Sequence, residues 1–221
     1  MATHQNPAAL DRFVEVYSEL HPDLADCLDD DGDALFVYHP LVHTWPYDPQ
    51  KLNAQYEGKQ RQLNQLLPAK NYERAIWLYE RPYRLGTLYE WVSERRLRRG
   101  LRLRALLAKV WKDTEYPHQF DQLPLLSFAV AGYTSDVDTP LPRRLTVWRG
   151  ASGDYPAGIS WTATRAVAEK FARRFATDGE RPRLSEARVD RDRVLGYFIG
   201  RQEDEIVVDP RYLRQLRELP I

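Results

Sequence analysis

The chain has 221 residues, 43% of them hydrophobic and 12% aromatic, and its 32 basic and 32 acidic residues leave no net charge. That is enough apolar material for a core and too much for a disordered chain, and the length suits one large domain or two small ones. A single cysteine, Cys27, excludes an internal disulfide and a four-cysteine zinc site.

No run of about 18 apolar residues suggests a membrane span, and the first residues lack a basic segment followed by an apolar one, so a soluble cytoplasmic protein is expected, with no membrane partner. The zero charge hides an uneven distribution. Residues 1–35 carry nine acids against Arg12 alone, whereas residues 141–221 hold sixteen Lys/Arg and twelve Asp/Glu. The split favours either an anion bound by the C-terminal part or an acidic leader docked on the basic remainder.

Leu10, Phe13, Val14, Tyr17 and Leu20 fall at helical spacing and predict an amphipathic helix over 8–20, ended by Pro22. The acidic tract 29–33 contains Gly32, but placing that glycine sixth in an EF-hand loop puts Cys27 first and Tyr38 twelfth, where the ion needs acids. The tract therefore reads as a turn, and no metal is expected. Residues 34–42 read as one short strand interrupted by Pro40, and Pro40 also denies His39 and His43 the helix that would align them as ligands.

From 50 to 112 the pattern turns helical: 51–67, 72–81, 82–99 and 101–112, punctuated by Pro68, Pro82 and Gly100. Arg95, Arg96, Arg98, Arg99, Arg102 and Arg104 alternate with Leu97 and Leu101, as on the wet side of an amphipathic helix. The same run would also serve as a phosphate-contacting or target-docking patch. Residues 133–142 are turn-rich and form the best boundary candidate. Beyond them, strands are expected at 144–149, 158–162, 184–189, 194–199 and 205–208, with one helix over 164–175. The expected layout is α+β: an acidic helical leader over 1–35, a helical region over 36–140, and a strand-rich core over 141–221.

Three short segments of that core carry chemistry. Glu203 and Glu205, two apart where a polar loop enters a β-branched run, point to one side, and a pair of carboxylates there can divide the stabilising of a cation from the accepting of a proton. Arg149 and Gly150 close the first strand with a planar bidentate donor and a residue without Cβ, a combination that lets a diphosphate or ribose approach closely. Ser160 and Thr162 put two hydroxyls on one strand face and Trp161 on the other, facing the core.

In that order, Arg149, Ser160-Trp161-Thr162 and Glu203-Asp204-Glu205 resemble the R-S-E class of mono-ADP-ribosyltransferases, which includes cholera-toxin-like and clostridial-toxin-like enzymes. The wording Trp148-Arg149-Gly150, then 158–162 (GISWT), then 168–175 (AEKFARRF) looks like its bacterial and phage-associated members. The resemblance covers about residues 141–210 and departs at Trp161 and Thr162, which stand where the family's motif has Thr and Ser.

The resemblance implies a small two-sheet β core with one helix, NAD as co-substrate and a macromolecular acceptor. It gives Glu205 the ribose hydroxyl and most of the rate, Glu203 the incoming nucleophile, and Arg149 the phosphate and ribose of NAD. Ser160, with Thr162, would brace Glu205. Gly150, Trp161, Thr162 and Phe171 would join Arg149 and Ser160 around the dinucleotide. Glutamate at 203 implies protein arginine as acceptor; RNA or DNA, with the Arg run as docking surface, is the alternative. A toxin-like role implies an inhibitory partner or antitoxin. A catalytically silent binding module with the same fold is the reading from another class. The loop over 177–184, with Arg181 and Arg183, is expected either at NAD or at the target, or as a plain basic loop.

Overall fold

The computed structural model describes residues 7–30, 34–114, 122–152, 158–175, 181–200 and 202–221. They divide into two compact units, Met1–Thr87 and Leu88–Ile221, each combining helices with strands. This division falls inside one helix, between the boundaries expected at 35/36 and 140/141.

In the first unit, α1 (Pro7–Glu19) and α2 (Pro22–Ala25) precede three short strands, β1 (Leu28–Asp30), β2 (Leu35–His39) and β3 (Val42–Thr44), which pair antiparallel in chain order. The single strand expected over 34–42 is thus a hairpin. Pro40 lies in its turn, where a missing N–H costs nothing. The turn is held by the Leu41 amide donating to His39 Nδ1 (3.0 Å), the Glu80 amide to the Pro40 carbonyl (2.8 Å) and Lys59 Nζ to the Leu41 carbonyl (2.8 Å).

α3 (Pro49–Leu66) starts where the Asp48 carboxylate accepts from the Lys51 amide, and α4 (Tyr72–Ala75) where Asn71 accepts from the Arg74 amide. Val37, Val42, Leu24, Ile76 and Tyr56 are at most 2% exposed and form the core of this unit. Of the acidic tract, Asp29 and Asp30 belong to β1, and 31–33 lie outside the described residues.

α5 (Arg84–Ser93) spans the division. The helix expected to run to Arg99 stops six residues early: Arg95 takes φ 60°, and the Leu97 amide turns back to the Trp91 carbonyl (2.9 Å). The Arg run therefore occupies an irregular segment and the start of α6 (Leu101–Asp113), with Arg95, Arg96, Arg98, Arg99 and Arg102 all exposed. α7 (Gln122–Ala131), which the sequence reading did not anticipate, packs Phe128 edge-on against Trp111 of α6 at 5.2 Å.

The remaining elements of the second unit are β4 (Thr134–Ser135), β5 (Arg144–Ser152), β6 (Ser160–Thr162), α8 (Arg165–Phe175), β7 (Pro182–Asp190), β8 (Val194–Phe198), β9 (Glu205–Val208) and β10 (Arg214–Leu219). The strands form one seven-stranded sheet, ordered β10-β7-β5-β6-β9-β8-β4, antiparallel except for β4 beside β8. One hydrogen-bonded sheet replaces the two expected, but it is nearly divided. β5 and β7 pair in unbroken register from Arg144↔Asp190 to Ser152↔Pro182, whereas β5 and β6 share only Trp148↔Thr162.

Under one face lie Leu145, Val147, Trp161, Ala187, Val189, Val194, Ile206 and Val208, all buried. The other face of β5 carries α8. A Cβ added to Gly150 would stand 1.8 Å from the Ala168 carbonyl oxygen and 2.4 Å from the Ala172 nitrogen, so only glycine lets the helix backbone rest on the strand. Among the described residues no helix is long and apolar enough to cross a membrane.

Candidate active site

The site begins at the narrow seam between β5 and β6. Past the Trp148↔Thr162 pair the two strands share no further ladder pair, so the backbone groups beyond it need other partners. Arg149 bridges the gap: its Nη1 donates to the Ser160 carbonyl at 2.7 Å. The guanidinium packs on Gly158, where an added Cβ would come within 2.5 Å of the Arg149 Cζ and Nη2. The side chain of Trp148, one residue earlier and on the other face, is fixed by donating Nε1 to Glu186 Oε2 (3.1 Å), while Arg217 Nη2 donates to Glu186 Oε1 (2.6 Å). Arg217, with help from the indole, holds the Glu186 carboxyl below its usual pKa, so this support stays anionic at neutral pH.

β6 and β9 carry the second half of the site. Their register pairs Ser160 with Val207, Trp161 with Ile206 and Thr162 with Glu205, which places Ser160, Thr162 and Glu205 on one face. Ser160 Oγ donates to Glu205 Oε1 at 2.6 Å. A hydrogen bond to an ionised carboxylate contributes about 1.5–3 kcal/mol and fixes its rotamer. Arg149, Ser160 and Glu205 thus form a connected run, guanidinium to backbone carbonyl and hydroxyl to carboxylate, through one residue of a three-residue strand.

The loop ahead of β9 is held from the β6 side. Gln202 and Asp204 both take left-handed backbone angles, φ 57° and 44°, and Glu203 lies half-buried between them. Such angles cost a non-glycine residue energy unless the surroundings impose them. Here they do. Thr162 Oγ1 donates to the Glu203 carbonyl and accepts from the Thr164 amide (3.0 Å); the Ala163 amide donates to the Asp204 carbonyl (2.9 Å); and Thr164 Oγ1 donates to Asp204 Oδ2 (2.7 Å).

Several expectations change on this geometry. Thr162 is 5% exposed and secures the turn at Glu203, while Ser160 donates to Glu205. Trp161 is 2% exposed, donates its indole N–H to the Gly158 carbonyl (2.8 Å) and lies in the apolar cluster, so it supports the strand from the core side. The space left by Gly150 is filled by α8, so on that face it serves helix packing and not ligand approach. Phe171 is half-buried on α8. Of the basic loop over 177–184, residues 177–180 lie outside the described residues, and Arg183, in β7, pairs with Glu218 at 3.7 Å.

Thr164, Asp204 and Gly158 were not singled out from the sequence. Asp204 is the variable middle of the Glu-x-Glu pattern, and Thr164 reads as an ordinary helix start. The available signal was the repeat of threonine at 162 and 164, which puts two hydroxyls beside one turn. Among the described residues no group of His, Cys, Asp and Glu could hold a metal ion. No protein-family model, curated protein or solved structure matches the chain.

Proposed function

We propose that the chain is a mono-ADP-ribosyltransferase of the R-S-E class that uses NAD as co-substrate and modifies arginine on a protein. The observation that carries this reading is the connected run Arg149–Ser160–Glu205 at the place where the sheet nearly divides. Breaking the glycosidic bond of NAD leaves positive charge on the ribose as nicotinamide departs with the bonding electrons. A carboxylate already oriented by a hydroxyl stabilises that charge where it develops. Glu205 takes this role and Ser160 sets its direction.

Arg149 supplies a planar, permanently charged donor for the diphosphate side of the dinucleotide. The acceptor nitrogen then bonds to the ribose carbon, and its proton passes to the Glu203 carboxylate from the clamped turn. Support comes from the sheet, which narrows to one residue pair between β5 and β6 beside Arg149.

A second acceptor class is favoured by one observation: five exposed arginines lie between Arg95 and Arg102, a density of positive charge suited to phosphate backbones. Labelled NAD incubated with cell lysate and the wild-type chain separates the two. Label lost on protease digestion and kept after nuclease identifies protein, the result expected here. Label lost on nuclease digestion reassigns the acceptor to nucleic acid, and no incorporation above that of Glu205→Gln overturns the transferase reading.

A further inference from the structure

The first unit carries a feature that the proposed transfer reaction does not use. The small β1–β2–β3 sheet turns Val37 and Val42 to the core and a continuous set of rings outward. Antiparallel register pairs Tyr38 with His43 and extends to Phe36 beside Trp45. Phe36 lies 4.6 Å from Tyr38, 4.8 Å from His43 and 5.0 Å from Trp45, centre to centre; His43 meets Tyr83 at 5.5 Å, and Trp45 meets Tyr47 at 6.4 Å. The rings pack on one another but remain wet: Tyr38 is 46%, Trp45 49% and Tyr47 81% exposed. Edge-to-face packing gives the strip a fixed shape, and contiguous exposed aromatics of this kind mark an interaction surface.

The chemistry of the occupant follows from charge. The three strands contain no Lys or Arg. β1 pairs Asp29 with Phe36, which puts an exposed carboxylate on the ring face. Burial lowers the pKa of His43 and so keeps it neutral at pH 7, although Glu80 opposes the shift. The first unit as a whole holds 8 Lys/Arg against 13 Asp/Glu. A single-stranded nucleic acid would find rings on which its bases could stack but no cation on the three strands to neutralise its phosphates. A guanidinium finds both a ring face and a carboxylate, and it stacks on Tyr and Trp better than an ammonium does.

We infer that the aromatic face formed by Phe36, Tyr38, His43 and Trp45, edged by Asp29, is a docking surface for an arginine-rich segment of a partner protein. This inference stands on the first unit and is independent of the catalytic reading.

The test is fluorescence anisotropy of labelled nona-arginine, nona-lysine and oligouridine with the full chain at fixed, near-physiological salt. Nona-arginine is expected to bind several-fold tighter than nona-lysine, and the pair Tyr38→Ala, Trp45→Ala to weaken it about tenfold with unchanged circular dichroism. Asp29→Asn, which leaves every ring in place, is expected to weaken it by a smaller factor, about threefold. Equal affinity for the two peptides with no effect of the ring substitutions would reduce the face to unspecific charge and overturn the inference. Oligouridine binding lost on Trp45→Ala, or a concentration-dependent dimer lost on the same substitution, would overturn it in favour of nucleic acid or a second copy of the chain.

Discussion

Two junctions of the same strand behave in opposite ways. Along β7, β5 is held by a ladder in unbroken register and overlaid by α8, which rests on the bare α-carbon of Gly150. Along β6 it is held by one residue pair and by the side chain of Arg149, which donates to the Ser160 carbonyl. The ladder is built from backbone groups that every sequence possesses, so it supplies stability with little demand on residue type. The seam depends on the Arg149 side chain, which the Ser160 backbone links to the hydroxyl of Ser160 and, through it, to the carboxylate of Glu205. Stability and chemistry are thus divided between the two edges of β5.

That division can be broken from either edge. Gly150→Leu drives a side chain into the backbone of α8, and because the obstacle is main chain and not a flexible tip, the cost exceeds the roughly 1–3 kcal/mol of ordinary overpacking. The expected outcome is loss of the cooperative thermal transition seen by circular dichroism; a normal transition would mean α8 is not seated there. Trp161→Ala, on the seam side, removes a 2%-exposed indole from the core and is expected to cost about 3–5 kcal/mol in urea unfolding.

Much of this region is legible in sequence because its signals are local. The β-branched runs of β5 and β9, the apolar spacing of α8, and the Arg-Gly, Ser-x-Thr and Glu-x-Glu segments are each contained within a few residues of sequence. What escapes is what depends on distant partners. β10 has no expected counterpart because an exposed edge strand needs no apolar face, and Arg217 within it gains meaning only beside Glu186. α7 is apolar on nearly every side and has no helical period to find, since Phe128 packs against Trp111 while the chain-neighbouring residues are also apolar. Gly150 looked like a point of ligand approach because a missing Cβ does not say what fills its place. Thr162 looked like a brace for Glu205 because two hydroxyls on one face need not share an acceptor.

A finer substitution sharpens the comparison inside the seam. Thr164→Val removes the donor to Asp204 while keeping the side-chain volume, and is expected to cost about 1 kcal/mol of stability. If Glu203 serves the acceptor, transfer should fall more than nicotinamide release, and equal losses would assign the clamp to folding alone. The smallest effect lies away from both edges. In the first unit, burial and a hydrogen bond to Asp23 raise the Tyr56 phenol from 10.0 to about 12. A raised folded pKa gives stability that is fully present below pH 10.0 and is lost as pH climbs toward about 12. Tyr56→Phe should flatten that alkaline loss in melting experiments, and an unchanged slope would place its origin elsewhere.

The seam's chemistry is open to one decisive comparison: release of nicotinamide from NAD by the purified wild-type chain and by Glu205→Gln, with melting curves recorded on both. The transferase reading predicts slow release by wild type and none above background by the variant, at matched melting temperatures. Equal release by the two proteins, or none by wild type at any concentration of enzyme and NAD, contradicts it.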